Sequence, residues 1–282
     1  MSLSVIIVNF RNPPLLRLSL QTLERALGRT ESLEVIVVDS ASTIETQNVV
    51  RHDCADLFER LILVPFTSNT GYTRGVNEGL RRATGDFLLI LNPDIVVLPG
   101  AVQGMMEYLR DHPRIGLVGP GLLNFDDTRQ ESCFRFYTPL VMLARRIPLP
   151  FTRRAVQRFL MREDDLSGPA SVDWVMGSSL MTTRSAMEQV GLMDERFFLY
   201  LSEVDWAMRF WENGFTVAYV PTVRMYHYHQ RQSKGRFGIL DILFRQETRW
   251  HLRDALAYFR KHGTAGTRPD RARPMQPKLL TA

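Results

Sequence analysis

The strongest constraint on the fold is the regular alternation, between residues 4 and 91, of short apolar runs rich in β-branched residues with segments of helical periodicity. Strands are predicted over residues 4–9, 33–38, 60–65 and 87–91, and helices over residues 13–27, 46–53 and 75–83. The run Val35-Ile36-Val37-Val38 is apolar without interruption, which is typical of strands covered on both faces. The alternation therefore predicts an α/β fold with a mostly parallel central sheet flanked by helices.

The composition suits a protein with a sizeable core, because 45% of the 282 residues are hydrophobic and 23% are charged. The formal net charge of +5 fits an anionic partner, whether a nucleotide, a nucleic acid or an acidic lipid surface. No signal peptide and no spanning run of about 18 uncharged apolar residues is expected, so we predict a cytoplasmic chain whose only membrane contact would be peripheral. Cys54 and Cys133 predict two inert thiols in the core.

Polar residues follow each of the four predicted strands at the point where the strand ends. They are Asn9-Phe10-Arg11, Asp39-Ser40-Ala41-Ser42, Thr67-Ser68-Asn69-Thr70-Gly71-Tyr72 and Asn92-Pro93-Asp94. Ligands of parallel sheets bind beyond the carboxyl ends of the strands, so these residues predict a binding site at one edge of the sheet. A carboxylate such as that of Asp39 can accept a hydrogen bond from a base imide or a ribose hydroxyl, although it could equally cap the following helix.

Glycines at positions 71, 75 and 79 would let the backbone approach a ligand closely at the start of a predicted helix. The segment matches neither the G-x-G-x-x-G pattern of dinucleotide-binding proteins nor the phosphate loop of P-loop NTPases. A nicotinamide-dependent dehydrogenase and a P-loop NTPase are therefore disfavoured.

Four segments, taken in order, resemble the successive signatures of family 2 glycosyltransferases. They are Ser4-Val5-Ile6-Ile7-Val8-Asn9-Phe10, Val37-Val38-Asp39-Ser40-Ala41-Ser42, Asn69-x-Gly71-Tyr72-x-x-Gly75-x-Asn77-x-Gly79 and Gly85-Asp86-Phe87-Leu88-Leu89-Ile90-Leu91-Asn92-Pro93-Asp94. Residues 172–177, 191–200 and 203–209 resemble the rhamnosyltransferase-like branch of that family, and the whole resemblance covers residues 3–235. It implies the GT-A fold, which is Rossmann-like.

The resemblance also implies inverting transfer of a sugar from a nucleoside diphosphate donor. Asp39 would accept a hydrogen bond from the N3–H of uracil or thymine, which favours a UDP- or dTDP-sugar, and our best candidate is dTDP-L-rhamnose. The residues implied to bind the donor are Asn9, Asp39, Asn69, Gly71, Arg74, Asn77, Asn92, Asp94, Trp174, Gly177 and Arg231. Trp174 and Gly177 would shape the wall beside the sugar, although a tryptophan is ordinarily part of the core.

Asn92-Pro93-Asp94 stands where the family has its Asp-x-Asp metal motif, and only Asp94 keeps a carboxylate. The resemblance implies a divalent cation, Mg²⁺ or Mn²⁺, held by Asp94 and the donor diphosphate. The family often has a metal-contacting histidine near residues 226–233, where His227 is the first candidate and His229 the second.

Inverting displacement needs a base that takes the proton of the acceptor hydroxyl. The family usually has two adjacent acids, then one residue and an aspartate, at the start of a helix that is here predicted to begin near Ser202. Ser202 replaces the first acid, which makes Glu203 the first candidate for the catalytic base and Asp205 the second. The alternative is that both acids only stabilise the positive end of the helix.

Two further segments have open interpretations. Residues 138–162 interleave six arginines with apolar residues, which fits either contact with an anionic bilayer or an ordinary solvated helix face. Residues 236–262 predict an amphipathic helical extension that packs on the core, faces a membrane or forms a homodimer. Residues 263–282 indicate a flexible basic tail, which leaves residues 1–235 as the glycosyltransferase domain.

The resemblance implies a metal-dependent glycosyltransferase that acts on a saccharide or polyprenyl-linked acceptor in cell-surface polysaccharide biosynthesis, in the cytoplasm or at the inner face of the membrane. A sugar-phosphate nucleotidyltransferase is one alternative, but Asn9-Phe10-Arg11-Asn12-Pro13 replaces the glycine-rich loop expected after its first strand. A non-catalytic basic protein that binds nucleotides or membranes is the other. No nucleic-acid partner is expected, because no RNA- or DNA-binding motif occurs.

Overall fold

A central sheet organises the protein, whose computed structural model describes residues 2–146, 150–228 and 246–269. The described strands are β1 (Leu3–Phe10), β2 (Leu33–Ser40), β3 (Arg60–Pro65), β4 (Phe87–Leu91), β5 (Ile95–Val97), β6 (Ile115–Leu123), β7 (Cys133–Phe134), β8 (Ala170–Ser171), β9 (Trp174–Val175), β10 (Ser179–Thr183) and β11 (Thr216–His227). The described α-helices are α1 (Pro13–Leu27), α2 (Ile44–Asn48), α3 (Gly71–Arg82), α4 (Ala101–Asp111), α5 (Pro139–Ala144), α6 (Arg153–Phe159), α7 (Arg184–Val190), α8 (Ser202–Glu212) and α9 (Gln246–His262).

Within the described residues, the central sheet has nine strands in the order β3-β2-β1-β4-β10-β6-β11-β5, with β8 paired to β11, and six of the nine run in one direction. β3, β2, β1 and β4 are parallel neighbours. β10 is antiparallel to both β4 and β6, so β6 and its parallel neighbour β11 keep the direction of the first four strands. β5 and β8 lie antiparallel against β11. The predicted mostly parallel sheet is confirmed, and β10 is an interruption that the sequence pattern did not predict.

Helices cover both faces of the sheet, which explains why its strands are apolar at consecutive positions. The face towards α1 and α4 buries one set of alternate residues, which includes Val5, Ile7, Val35, Val37 and Leu89. The face towards α3 and α8 buries the other set, which includes Ile6, Val8, Ile36, Val38 and Ile90. Since side chains alternate along a strand, each strand contributes to two separate apolar layers.

The predicted bounds of α1, β3 and β4 agree with the structure. The helix predicted over residues 46–53 is instead the short α2 followed by a wider helical turn at Val49–Asp53. Cys54 and Cys133 are both buried and free, as expected. In the predicted C-terminal extension, α9 packs Ala255 and Tyr258 into the same core cluster as α8. Among the described helices, none combines the length and the apolar character needed to cross a bilayer.

Candidate active site

The carboxyl ends of β1 and β2 place Asn9 beside Asp39 as register partners. Asn9 Nδ2 donates a hydrogen bond of 2.8 Å to Asp39 Oδ1, and both side chains are fully buried. Asp39 Oδ2 is also buried and has no hydrogen-bond partner among the described residues. Asn9 therefore orients the Asp39 carboxylate. Asn9 Oδ1 and Asp39 Oδ2 are both buried with no partner among the described residues and could each accept a further hydrogen bond.

The turn before α3 is tied to the end of β2. Asn69 Oδ1 accepts hydrogen bonds from the backbone N–H of Gly71 at 2.9 Å and from Ser40 Oγ at 3.2 Å. Gly71 has a φ of +74°, and a Cβ at this position would lie 2.4 Å from the backbone oxygen of Phe198. The structure thus requires glycine here for the contact with the segment before α8, whereas the sequence predicted a contact with the ligand.

Two other predicted donor-binding residues lie on α3, and they differ in exposure. Arg74 is exposed, with its guanidinium carbon 5.9 Å from the centre of the Phe66 ring. Asn77 is buried, where its Nδ2 donates to Met193 O at 2.8 Å and to Glu195 Oε1 at 2.9 Å. Its Oδ1 accepts from the Met193 N–H at 3.0 Å. Both ends of the Asn77 amide hold the loop before α8, so the prediction that Asn77 lines the nucleotide is corrected.

The ends of β4 and β11 bring a carboxylate and a histidine together. Asp94 Oδ2 lies 3.6 Å from His227 Nε2, and Asp94 Oδ1 is buried with no hydrogen-bond partner among the described residues. His227 Nδ1 lies 2.9 Å from Gln130 Oε1, so its N–H donates there and the Nε2 lone pair faces Asp94. No cluster of three or more His, Cys, Asp or Glu side chains suited to a metal occurs in the described part of the chain. The pair fits a divalent cation that takes its other ligands from a bound molecule or water.

Backbone contacts connect this pair to the start of α8. The N–H of Asn92 donates to Ser178 O at 2.8 Å. A Cβ on the neighbouring Gly177 would lie 3.4 Å from Glu203 Cβ and 3.0 Å from Tyr72 Oη, so a larger residue would crowd both side chains. Tyr72 Oη donates to Gly177 O at 2.6 Å. The end of β4 and the start of β10 therefore lie close to α3 and to the first turn of α8.

Glu203 occupies the first turn of α8, directly after Leu201 and Ser202. Burial raises the pKa of Glu203 to about 7, against the opposing effects of its own backbone N–H and the Ser202 hydroxyl, and the negative charge of Asp254 adds to the rise. A carboxyl group with a pKa near neutral pH can accept a proton in one step and release it in the next. The geometry therefore provides a candidate base at the start of α8.

The model for Glycosyl transferase family 2 matches residues 4–167, which is more than half of the chain. The chain belongs to glycosyltransferase family 2. The matched segment contains Asp39 and Asp94, whereas Glu203 and His227 lie beyond it. The candidate base and the candidate histidine ligand therefore lie outside the segment that the family model matches.

Two relatives of this family 2 glycosyltransferase are named as rhamnosyltransferases. N-acetylglucosaminyl-diphospho-decaprenol L-rhamnosyltransferase of Mycobacterium tuberculosis is 28% identical over 246 residues, which is 83% of this chain and 78% of the relative. Rhamnosyltransferase WbbL of Escherichia coli K12 is 22% identical over 239 residues, 84% of this chain and 85% of the relative.

The solved structure of the mannosyltransferase PcManGT from Pyrobaculum calidifontis, in complex with GDP-Man and Mn²⁺, is similar to this glycosyltransferase with a TM-score of 0.61 and 21% sequence identity. The match covers 95% of this chain, which spans 66% of that structure. This likeness confirms the predicted GT-A fold.

Trp174 lies in the core of the glycosyltransferase, which corrects its predicted place on the wall of the site. Its indole N–H donates to Arg135 O at 2.8 Å, and its ring stacks on Phe134 with 4.4 Å between ring centres. The side chain is 5% exposed. The ordinary expectation for a tryptophan on an apolar strand therefore applies here.

Asp205 faces away from Glu203, which corrects its place as the second candidate base. The side chain is fully buried, and its Oδ1 lies 2.6 Å from Lys261 Nζ and 2.7 Å from His262 Nε2, while Oδ2 accepts from Arg209 Nε at 3.1 Å. Burial alone would raise the pKa of Asp205, but these hydrogen bonds outweigh it and lower the pKa. Asp205 thus joins α8 to the end of α9 as a permanent anion.

Sequence reasoning missed Asp254, which lies on α9 and is fully buried. Its Oδ2 accepts hydrogen bonds from three consecutive backbone N–H groups, those of Phe198, Leu199 and Tyr200, each at 3.1 Å. This contact fixes the segment that leads into the first turn of α8. Its donors are backbone groups, so no pattern of residue types could have predicted it. Two other candidates, His229 and Arg231, lie outside the described residues.

Asp254→Asn is expected to move the pH–rate profile of the glycosyltransferase as well as to slow it. The charge of Asp254 helps to raise the pKa of Glu203, so its removal should lower that pKa and shift the acid limb of the profile to lower pH. The loss of three charge-assisted hydrogen bonds should also lower kcat. A slower variant with an unmoved acid limb would mean that Asp254 only supports the fold, and Asp111→Asn on α4 is an exposed control.

Proposed function

We propose that this family 2 glycosyltransferase transfers L-rhamnose, with inversion, from dTDP-L-rhamnose to a saccharide or polyprenyl-linked saccharide acceptor in cell-surface polysaccharide biosynthesis. One observation carries the proposal: Glu203, whose pKa burial raises to about 7, contacts the Gly177–Ser178 turn that is bonded to the loop of Asp94. A base and a candidate cation site on either side of one turn fit a displacement at a sugar carbon between them.

In the proposed reaction, the ionised Glu203 carboxylate takes the proton of the acceptor hydroxyl. At the same time the oxygen of that hydroxyl attacks the anomeric carbon from the side opposite the leaving group. The bond from that carbon to the diphosphate oxygen breaks, and the nucleoside diphosphate leaves with the electron pair. Tyr72 donates to Gly177 O, and the absence of a side chain on Gly177 leaves room beside Glu203 Cβ and Cγ.

Asp94 and His227 would hold a divalent cation, Mg²⁺ or Mn²⁺, together with the donor diphosphate. Bound there, such a cation neutralises the negative charge that develops on the leaving diphosphate. Gln130 orients His227 by accepting from its Nδ1–H, as the outer partners of ligating histidines usually do. Asp94 Oδ1 is buried and has no partner among the described residues, which supports the proposal that this carboxylate binds a cation.

Asp39 is the proposed contact for the base of the nucleotide. Its Oδ2 would accept the N3–H of thymine or uracil, and a cytosine base has no such proton. Asn69 and the exposed Arg74 lie at the start of α3, on the side of the site from which the ribose and the diphosphate would extend. Both thymidine and uridine donors satisfy this contact, and the names of the two relatives favour rhamnose.

The proposed acceptor and the proposed location at the membrane are based on the name of the mycobacterial relative, which specifies a diphospho-decaprenol acceptor. A polyprenyl acceptor would place the enzyme at the cytoplasmic face of the membrane, in peripheral contact with the bilayer. The proposed reaction needs no homodimer. A homodimer formed through α9 would use the side of that helix that is not buried against α8.

A panel of donors tested by thermal unfolding examines the proposal directly. With Mn²⁺ present, dTDP-L-rhamnose at about 100 times its Kd is expected to raise Tm by about 5 °C or more, and GDP-mannose should not. EDTA should remove most of the shift. Product analysis by NMR should then give a rhamnoside with the anomeric configuration opposite to that of the donor. A larger shift with a UDP-sugar would change the donor, and no shift with any nucleotide sugar would contradict the proposal.

A further inference from the structure

A surface formed by α5, the turn Pro150–Thr152 and α6, which we call the arginine-rich surface, exposes several large apolar side chains. Leu140 and Leu143 lie one turn apart on α5 and are 48% and 53% exposed. Phe151 is 77% exposed in the turn, which contacts both helices. Single exposed apolar residues are ordinary, but three on adjoining elements form a patch of the kind that binds a partner.

The same surface is strongly basic. Residues 135–162 contain seven arginines and no aspartate or glutamate. Arg153, Arg154 and Arg158 are exposed, and no acidic partner for them occurs in the described ranges of the chain. The arginines at the two ends of the stretch do pair with acids outside it. Apolar side chains surrounded by cations are typical of protein surfaces that bind the interface of an anionic bilayer.

The arginine-rich surface shares a buried core and electrostatic interactions with the region of the candidate base. Tyr137 directly precedes the residue that caps α5, and burial raises its pKa, with Arg145 opposing the rise and the charge of Glu203 adding to it. Arg145 Nη1 donates to Tyr137 Oη at 2.9 Å. On α9, burial lowers the pKa of His251 to about 4, and the charges of Arg146 and Arg145 add to this effect. Val141 of α5 and Phe159 of α6 are buried in the same core cluster as Leu201 and Val204, which flank Glu203 in the chain. The surface is therefore packed on the core that also carries the first turn of α8.

We propose that the arginine-rich surface binds an anionic lipid bilayer and thereby presents a membrane-embedded acceptor to Glu203. The membrane contact itself rests only on the exposed apolar and basic side chains, whereas its use in delivering the acceptor rests on the proposed function. A nucleic acid would match the charge but has no apolar interior for Leu143 and Phe151 to enter. The combination of both features favours the bilayer.

Co-sedimentation with vesicles tests the contact without any donor or acceptor. The wild-type protein is expected to bind phosphatidylcholine vesicles that contain phosphatidylglycerol about 10-fold more tightly than pure phosphatidylcholine vesicles. Leu143→Ser/Phe151→Ser and Arg153→Gln/Arg154→Gln should each weaken binding to the anionic vesicles about 10-fold or more. Thermal unfolding and the donor-induced Tm shift verify that the variants remain folded.

The matched control is Leu18→Ser/Arg25→Gln, which removes an exposed leucine and an exposed arginine from α1, on the opposite face of the sheet. It should leave vesicle binding unchanged. Equal binding to both kinds of vesicle, unchanged binding of the two surface variants, or binding to an oligonucleotide that depends only on Arg153 and Arg154 would overturn the membrane contact.

Delivery of the acceptor has a separate readout. The surface variants should keep the wild-type rate with a water-soluble acceptor and lose at least about 10-fold with a vesicle-borne one, because only the second needs the bilayer. Equal rates of wild-type and variants on the vesicle-borne acceptor would overturn delivery. Failure of the proposed function would instead abolish transfer to both acceptors and leave vesicle binding intact.

Discussion

Glu203→Gln is expected to lower kcat by about 10²–10⁴-fold, the usual contribution of a general base, while the Kd of the donor stays unchanged. Glutamine has nearly the same shape and can still accept a hydrogen bond from Ser202, but it cannot take the proton of the acceptor hydroxyl. The rate is measured at saturating donor and acceptor, and donor binding by calorimetry. Glu188→Gln, an exposed acid on α7, is the control and should behave as wild type.

The pH dependence gives an independent check on the same residue. With the pKa of Glu203 raised to about 7, most of the carboxyl is protonated and inactive as a base below that pH. The rate of the chemical step should therefore rise about tenfold per unit as pH increases towards 7 and level off above it. The residual activity of Glu203→Gln should lack this limb. A wild-type rate that is flat between pH 5 and 8, or a limb that survives in the variant, would contradict the assignment.

Asp94→Asn is expected to weaken donor binding in Mn²⁺ by about 100-fold, because loss of an outer partner of a metal ligand already costs about 10–100-fold and Asp94 would be a direct ligand. In EDTA, wild type and variant should bind the donor equally weakly, since no cation then links the carboxylate to the diphosphate. Calorimetry with and without Mn²⁺ measures both values.

Gln130→Ala provides a second, milder test of the cation site. Gln130 accepts from His227 Nδ1, and its loss should free the imidazole to turn and weaken Mn²⁺-dependent donor binding by about 10-fold. The exposed Asp126→Asn in the neighbouring turn is the control. Identical donor affinity of all three proteins in Mn²⁺ would contradict a cation held by Asp94 and His227.

The strand ends of the site were predictable because they follow from a rule of topology rather than from side-chain detail. Parallel strands bring their carboxyl ends to one edge, so Asp39 and the Asn92–Asp94 turn had to lie along it once the strands were recognised. The position of Glu203 at the start of α8 followed from the family signature. No such rule tells which polar side chains already form hydrogen bonds within the protein, as both ends of the Asn77 amide do.

Helical geometry alone separates the two acids in the first turn of α8. Residues two apart on an α-helix lie about 200° apart around its axis, so Glu203 and Asp205 could not both face the same site. The partners of Asp205 come from α9, dozens of residues later in the chain, and spacing alone does not reveal them. Trp174 is a similar case, because the acceptor for its indole N–H could be either a ligand or, as found, the Arg135 carbonyl.

The attachment of α9 has a consequence for the order of events during synthesis. The first four strands and the segment matched by the family model emerge from the ribosome well before the helix whose Asp254 accepts hydrogen bonds from the segment that leads into α8. A nascent chain could therefore form the edge that carries Asp39 and Asp94 while Glu203 still lacks a fixed approach. The approach to Glu203 would become ordered only when translation has passed α9.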